Sequence, residues 1–79
     1  MEVKVRLYAT LSHYNPEGQG NSPFKAEVAE GATVEDLLGQ LGVEKGEVKQ
    51  VFIRHKVRPL DYKLEEGEQV AIFPPVAGG

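Results

Sequence analysis

Apolar and polar residues alternate from Val3 to Tyr8, so that Val3, Val5 and Leu7 share one face of a strand while Lys4, Arg6 and Tyr8 share the other. The alternation returns at Phe24, Ala26 and Val28, which can extend the same apolar face as the second arm of a hairpin with a long connection. Between the two arms, Ala9 to Leu11 suit a short turn of helix. The stretch from His13 to Pro23, rich in Gly, Asn, Pro and Ser, reads as a mobile loop with little to bury. At Thr33 the period changes. Val34, Leu37, Leu38 and Leu41 fall at i, i+3, i+4 and i+7, Thr33 is a good N-cap, Glu35 and Asp36 place negative charge in the first turn, and Gly42 ends the helix. One stripe of this helix therefore covers one face of the sheet. Gly39 inside it costs up to about 1 kcal/mol relative to alanine, and implies either close packing or simple tolerance.

After a turn at Glu44 to Glu47, Val48 to Ile53 forms the next strand, and Arg54-His55-Lys56-Val57 makes a tight turn into a short edge strand closed by Arg58-Pro59. Leu60, Tyr62 and Leu64 anchor an irregular connection, and the turn Glu66-Gly67-Glu68 delivers a last strand, Gln69 to Phe73. The order is strand, strand, helix, strand, short strand, strand. A hairpin, a helix laid across it and a final strand returning to the middle predict an α+β, two-layer β-grasp fold: a mixed sheet of four to five strands with one main helix across one face. Residues 1–73 make up that domain, and residues 74–79 form an extended tail.

Composition narrows the function. The chain of 79 residues is 41% hydrophobic, the size of one small domain. Nine basic against twelve acidic residues give a net charge of −3, which argues against nucleic acid as a partner, because neutralising phosphates needs a clustered basic surplus. With no cysteine there is no disulfide scaffold, thiolate metal site or cysteine nucleophile. Met1-Glu2-Val3-Lys4 begins a strand pattern rather than a signal peptide, and no apolar run reaches membrane-spanning length, so a cytoplasmic protein with no membrane partner is expected.

Most candidate chemistry fails on spacing. His13 and His55 lack a second ligand three or four positions away and read as solvated, so no metal site is expected. Ser12 and Ser22 lack a nucleophile-elbow context. The glycines match neither the dinucleotide fingerprint nor the phosphate loop with its lysine. Glu65, Glu66 and Glu68 read as a solvated rim around a turn. What remains is the segment Pro74-Pro75-Val76-Ala77-Gly78-Gly79. The prolines cannot continue a sheet ladder and favour a stiff, extended exit, and the two glycines remove the Cβ atoms that would block a narrow channel. Its reach is at most about 20 Å, enough to enter another protein's active site while the body docks outside. The group placed to react is the carboxylate of Gly79. An ionised carboxylate acylates poorly, so a partner must activate it, the usual route being attack on the α-phosphate of ATP to give an acyl-adenylate open to sulfide, a thiol or an amine.

Val5-Arg6-Leu7-Tyr8-Ala9-Thr10-Leu11, Glu30-Gly31-Ala32-Thr33-Val34-Glu35-Asp36-Leu37-Leu38, Pro59-Leu60-Asp61-Tyr62, Glu66-Gly67-Glu68-Gln69-Val70 and above all the run from Ala71 to Gly79 resemble the ubiquitin-like sulfur carriers. Within them the chain is most similar to the small subunit of molybdopterin synthase, through the phenylalanine, the proline pair and the terminal diglycine. The resemblance implies that Gly79 is adenylated by a ubiquitin-activating-like enzyme that uses ATP, converted to a thiocarboxylate with sulfur from a sulfurtransferase, and consumed inside the large synthase subunit in molybdenum-cofactor synthesis. The chain itself would bind no cofactor and contribute no acid or base. A tungsten-cofactor or thiamin pathway would use the same chemistry, and a protein modifier joined to lysine through Gly79 is the rival from another class. The resemblance departs at Arg54-His55-Lys56, where many members have an Asn-Gly type of turn, and in the longer loop from His13 to Pro23.

Strand alternation also predicts a docking face. If Val70, Ile72, Val51 and Ile53 face the helix, then Phe52 and Phe73 share the opposite face with Arg6, while Arg54 joins them only if its strand stays regular. An aromatic pair rimmed by arginine at the root of the tail has the composition of an interface core.

Overall fold

A computed structural model describes residues 1–18 and 20–75. Strands β1 (Glu2–Leu7), β2 (Phe24–Glu27), β3 (Gln50–Ile53), β4 (Lys56–Val57) and β5 (Gln69–Phe73) form one five-stranded sheet in the order β2-β1-β5-β3-β4. The last strand lies in the middle, parallel to β1 and antiparallel to β3, which makes the sheet mixed. Helix α1 (Val34–Leu41) connects the two halves. This is the predicted β-grasp arrangement.

Local sequence explains the helix. Thr33 is extended at φ −99°, ψ 172°; its hydroxyl accepts from the Asp36 amide at 3.2 Å while the Asp36 carboxylate accepts from the Thr33 amide at 2.9 Å. This capping box satisfies two amides that have no partner within the helix. Gly42 ends the helix in the left-handed region at φ 82°, where a side chain would be strained. Gly39 stands in open space, with no atom within 4 Å of where a Cβ would lie, so tolerance and not close packing accounts for it.

Val3, Val5 and Leu7 of β1, Val51 and Ile53 of β3, and Val70 and Ile72 of β5 are buried with Val34, Leu37 and Leu38 of α1 in a single core. Each such side chain contributes roughly 1.5–3 kcal/mol by leaving water. Phe24 and Ala26 extend the core onto β2 as expected, and Leu64 seals it under the irregular connection, with Leu60 and Tyr62 packed against it.

Two readings of the connections change. The 3-10 turn after β1 runs from Ala9 to Tyr14, three residues beyond the expected Leu11, because Leu11 is buried and Tyr14 donates its hydroxyl to Glu47 at 2.6 Å. The loop that follows has an internal anchor. Asn15 is buried; its side-chain amide donates to the carbonyls of Gly20 and Ser22 at 2.9 and 3.1 Å, and its side-chain oxygen accepts from the Glu17 amide at 2.8 Å. Such an arrangement closes the loop around one side chain, which composition alone does not show.

Candidate docking face

One face of the sheet is covered by α1, and the other is open. Register brings Arg6 of β1, Ala71 of β5 and Phe52 of β3 into one row across the three central strands, and Val57 of β4 continues it beyond Phe52. Two residues further along β5, Phe73 meets Phe52 edge-on, with ring centroids 5.6 Å apart and planes at 79°. The predicted aromatic pair is therefore real and lies outside the core. Phe73 sits at the end of β5, where its carbonyl accepts from the Lys49 amide at 2.8 Å, and Pro74 and Pro75 follow directly with no ladder of their own. Val76, Ala77, Gly78 and Gly79 lie outside the described residues.

Two contributors were not anticipated. Tyr8 stacks on Phe73, with centroids 4.3 Å apart and planes 6° from parallel, and the Arg6 guanidinium stands 5.7 Å from the centre of the Tyr8 ring. Alternation puts Tyr8 on this face, and the register of β1 with β5 brings it to the tail root. Val57 is the second, a large apolar side chain 55% exposed beside Phe52. A tight edge strand gives little sequence signal that a valine stands out in water.

Arg6 does more than rim the face. Its Nε donates to the Asn21 carbonyl at 2.9 Å, tying the long loop to β1. Together these groups border a shallow depression of about 810 Å³, floored by Ala71 and walled by Phe52, Phe73, Tyr8 and Arg6.

Arg54 ends the regular strand at φ 58°, and His55 follows at 67°, so β3 and β4 are joined through two consecutive left-handed residues, neither of them glycine. Each costs roughly 1–2 kcal/mol relative to ordinary backbone. The Arg54 side chain nonetheless returns to the open face. Its Nε lies 3.1 Å from Glu68 and its terminal nitrogen donates to Glu65 at 2.8 Å. Glu68 is the main correction to the expected solvated rim. It is buried, takes the Tyr62 hydroxyl at 2.7 Å and the Glu65 amide at 2.8 Å, and so joins the β3–β4 turn to the turn before β5. The Glu68 carboxylate holds the Tyr62 phenol above its ordinary pKa of 10.0, chiefly through that hydrogen bond and secondly through partial burial.

Among the described residues no group of acidic, histidine or cysteine side chains could hold a metal ion, and no helix is long and apolar enough to cross a membrane. His13 and His55 are both exposed and far apart in the chain. The described residues thus offer an aromatic surface suited to binding.

A mixed five-stranded sheet gripping one helix, with an open aromatic face at the root of the last strand's extension, defines a ubiquitin-like β-grasp protein. A model of the ThiS family matches residues 5–79, and the chain belongs to that family. It is 32% identical over 87 aligned residues, covering the whole of both chains, to a molybdopterin synthase sulfur carrier subunit from Chlamydomonas reinhardtii. It is equally 32% identical, again over the whole of both chains, to small archaeal modifier protein 3 from Haloferax volcanii. Among solved structures, a candidate molybdopterin converting factor subunit 1 from Pyrococcus furiosus superposes with a TM-score of 0.71 at 27% identity, over 96% of this chain and 99% of that one. A chain from the protein–protein complex of subunits 1 and 2 of molybdopterin-converting factor from Helicobacter pylori shares the fold at a TM-score of 0.61 and 21% identity, over the whole of both chains.

Proposed function

We propose that this chain is a sulfur carrier whose C-terminal Gly79 is adenylated and converted to a thiocarboxylate, and that it delivers this sulfur to the synthesis of molybdopterin. The observation that carries the reading is the full-length identity to a sulfur carrier subunit of molybdopterin synthase. The site geometry supports it: β5 ends at Phe73 inside the aromatic face, and Pro74-Pro75 leads directly from there toward Gly78-Gly79.

In the proposed reaction the Gly79 carboxylate oxygen attacks the α-phosphorus of ATP and pyrophosphate leaves. A sulfur nucleophile supplied through a sulfurtransferase then attacks the acyl carbon, and AMP leaves. The adenylating partner is a ubiquitin-activating-like enzyme, and the acceptor is the large subunit of molybdopterin synthase, by analogy with the subunit 1 and 2 complex of the Helicobacter pylori protein. Both partners engage the tail, so both would dock on the face around Phe73, Phe52 and Arg6. The chain supplies no acid, base or bound cofactor of its own. A reaction that consumes ATP fits a protein of the cytoplasm.

A second reading is favoured by the equal identity to an archaeal modifier protein: the same activated Gly79 would pass to a lysine amine as an isopeptide. Intact-mass measurement after co-expression with an adenylating enzyme and a sulfurtransferase separates the two. A sulfur carrier gains the difference between sulfur and oxygen, and a modifier appears in larger conjugates. Deleting Gly79, or appending one residue after it, should abolish thiocarboxylate formation with the melting temperature unchanged. Formation at the wild-type rate with an extended tail would overturn the carrier reading.

A further inference from the structure

The two-residue turn between β3 and β4 carries strain that an Asn-Gly pair at the same positions would avoid. Arg54 and His55 occupy its two central positions with φ of 58° and 67°, the mirror-image backbone that asparagine and glycine adopt more readily. Strained backbone persists where the surroundings hold it, and it concentrates at functional positions. Here the hold is visible, because Arg54 is tied to Glu65 and to the buried Glu68.

Charge gathers at the same place. Arg54, Lys56 and Arg58 are three of the nine basic residues of a chain whose net charge is −3. Arg54 is neutralised by its two glutamates, while Arg58 donates to the Ile53 carbonyl at 3.1 Å and lies over the Tyr62 ring. His55 and Lys56 are exposed, and among the described residues neither meets a carboxylate. His55 borders the depression that holds Phe52 and Phe73, and the exposed Val57 follows one residue after Lys56. Strain, unpaired positive charge and an exposed apolar side chain therefore coincide at the edge of the aromatic face.

Resting on the sulfur-carrier reading, we propose that the Arg54–Lys56 turn is a second recognition element, which presents His55 and Lys56 to a carboxylate-bearing strip on the enzyme that adenylates Gly79. The aromatic cluster supplies desolvated contact area, and the basic turn fixes register. On a chain of net negative charge, a local basic projection orients the molecule in the field of an acidic surface and speeds productive encounter.

The test measures binding of the full chain to its adenylating enzyme, together with thermal melts, for the wild type, His55→Gly and Lys56→Glu. His55→Gly relieves strain, so its melting temperature should rise while its affinity falls about fivefold or more. Lys56→Glu should melt as the wild type does, associate roughly tenfold more slowly at low salt, and converge on the wild-type rate near 0.5 M salt, where charge is screened within a few ångströms. Unchanged affinity and association rate in both variants, with the wild type still adenylated, would overturn the proposal and leave the carrier reading intact. A melting temperature that fails to rise for His55→Gly would remove the strain on which it stands. A wild-type chain that is neither bound nor adenylated would overturn both.

Discussion

The ring of Tyr8 lies flat against the ring of Phe73, 4.3 Å between centroids, and so joins the end of the first strand to the end of the last. The Tyr8 amide donates to the Ile72 carbonyl at 3.1 Å, continuing the ladder one step past β1, and Ala9 then turns the chain away at φ 52°. With Phe52 edge-on against its other side, Phe73 is held in place before any partner arrives. Less rotamer freedom is then left to lose on docking, and more of the contact energy appears as affinity.

Phe73→Ala should weaken binding to the adenylating enzyme by about 2 kcal/mol or more, as truncating an aromatic anchor does. Its effect on folding should be smaller than the roughly 3–5 kcal/mol of a buried phenylalanine, because Phe73 is only partly buried. Calorimetric titration beside thermal melts checks both. Unchanged affinity, or a melting loss as large as a core truncation gives, would show that the cluster is structural.

Gly39→Ala should stabilise the protein by up to about 1 kcal/mol, since α1 gains a better helix former and the new methyl group meets nothing within 4 Å. Urea unfolding at constant m-value reads the change directly. A loss of stability would show that a methyl group at this position does not stand in open space.

Asn15→Ala should cost about 1–3 kcal/mol, because a buried side chain that makes three hydrogen bonds within its loop is removed and the Gly20 and Ser22 carbonyls lose their donor. Substitutions at exposed positions of the same loop, such as Glu17→Ala or Asn21→Ala, should stay within about 0.5 kcal/mol. Chemical denaturation of the three variants distinguishes an anchored loop from one that shortens without consequence.

Stability should fall at alkaline pH through two tyrosines. Tyr14 is raised above 10.0, first by its hydrogen bond to the Glu47 carboxylate and then by partial burial, and Tyr62 is raised by the equivalent bond to Glu68. A raised folded-state pKa contributes stability that is complete below the unfolded value of 10.0 and is lost as pH rises through the folded one. Melting temperatures should therefore drop above pH 10, and Tyr14→Phe with Tyr62→Phe should flatten that limb. Glu47 behaves oppositely. The Tyr14 hydroxyl, and then the Glu44 amide, lower its pKa, so its contribution disappears as pH falls below 4.5. An alkaline limb unchanged in the double variant would show that these bonds do not survive in solution.

The amino-acid sequence by itself determined the elements and their faces. Period-two alternation at Val3, Val5 and Leu7 and period-3.6 spacing at Val34, Leu37, Leu38 and Leu41 are local signals, and burial of one face is enough to enforce them. The same parity placed Phe52, Phe73 and Arg6 on one side of the sheet, and the proline pair and diglycine marked the tail as a candidate without any tertiary information. Contacts between residues far apart in the chain required the structure. Tyr8 meets Phe73 only because β5 inserts parallel to β1, a pairing of strands some sixty residues apart that no local pattern encodes. Glu68 carries the local signature of a solvated turn, yet it is buried because Arg54 and Tyr62 arrive from two other segments to neutralise it and satisfy its oxygens. Asn15 organises its loop by reaching carbonyls five and seven residues ahead, a choice made by backbone geometry and not by composition. Parity along a strand is fixed by the chain's own stereochemistry, whereas strand register and the partners of a buried charge are settled only when distant segments close on one another.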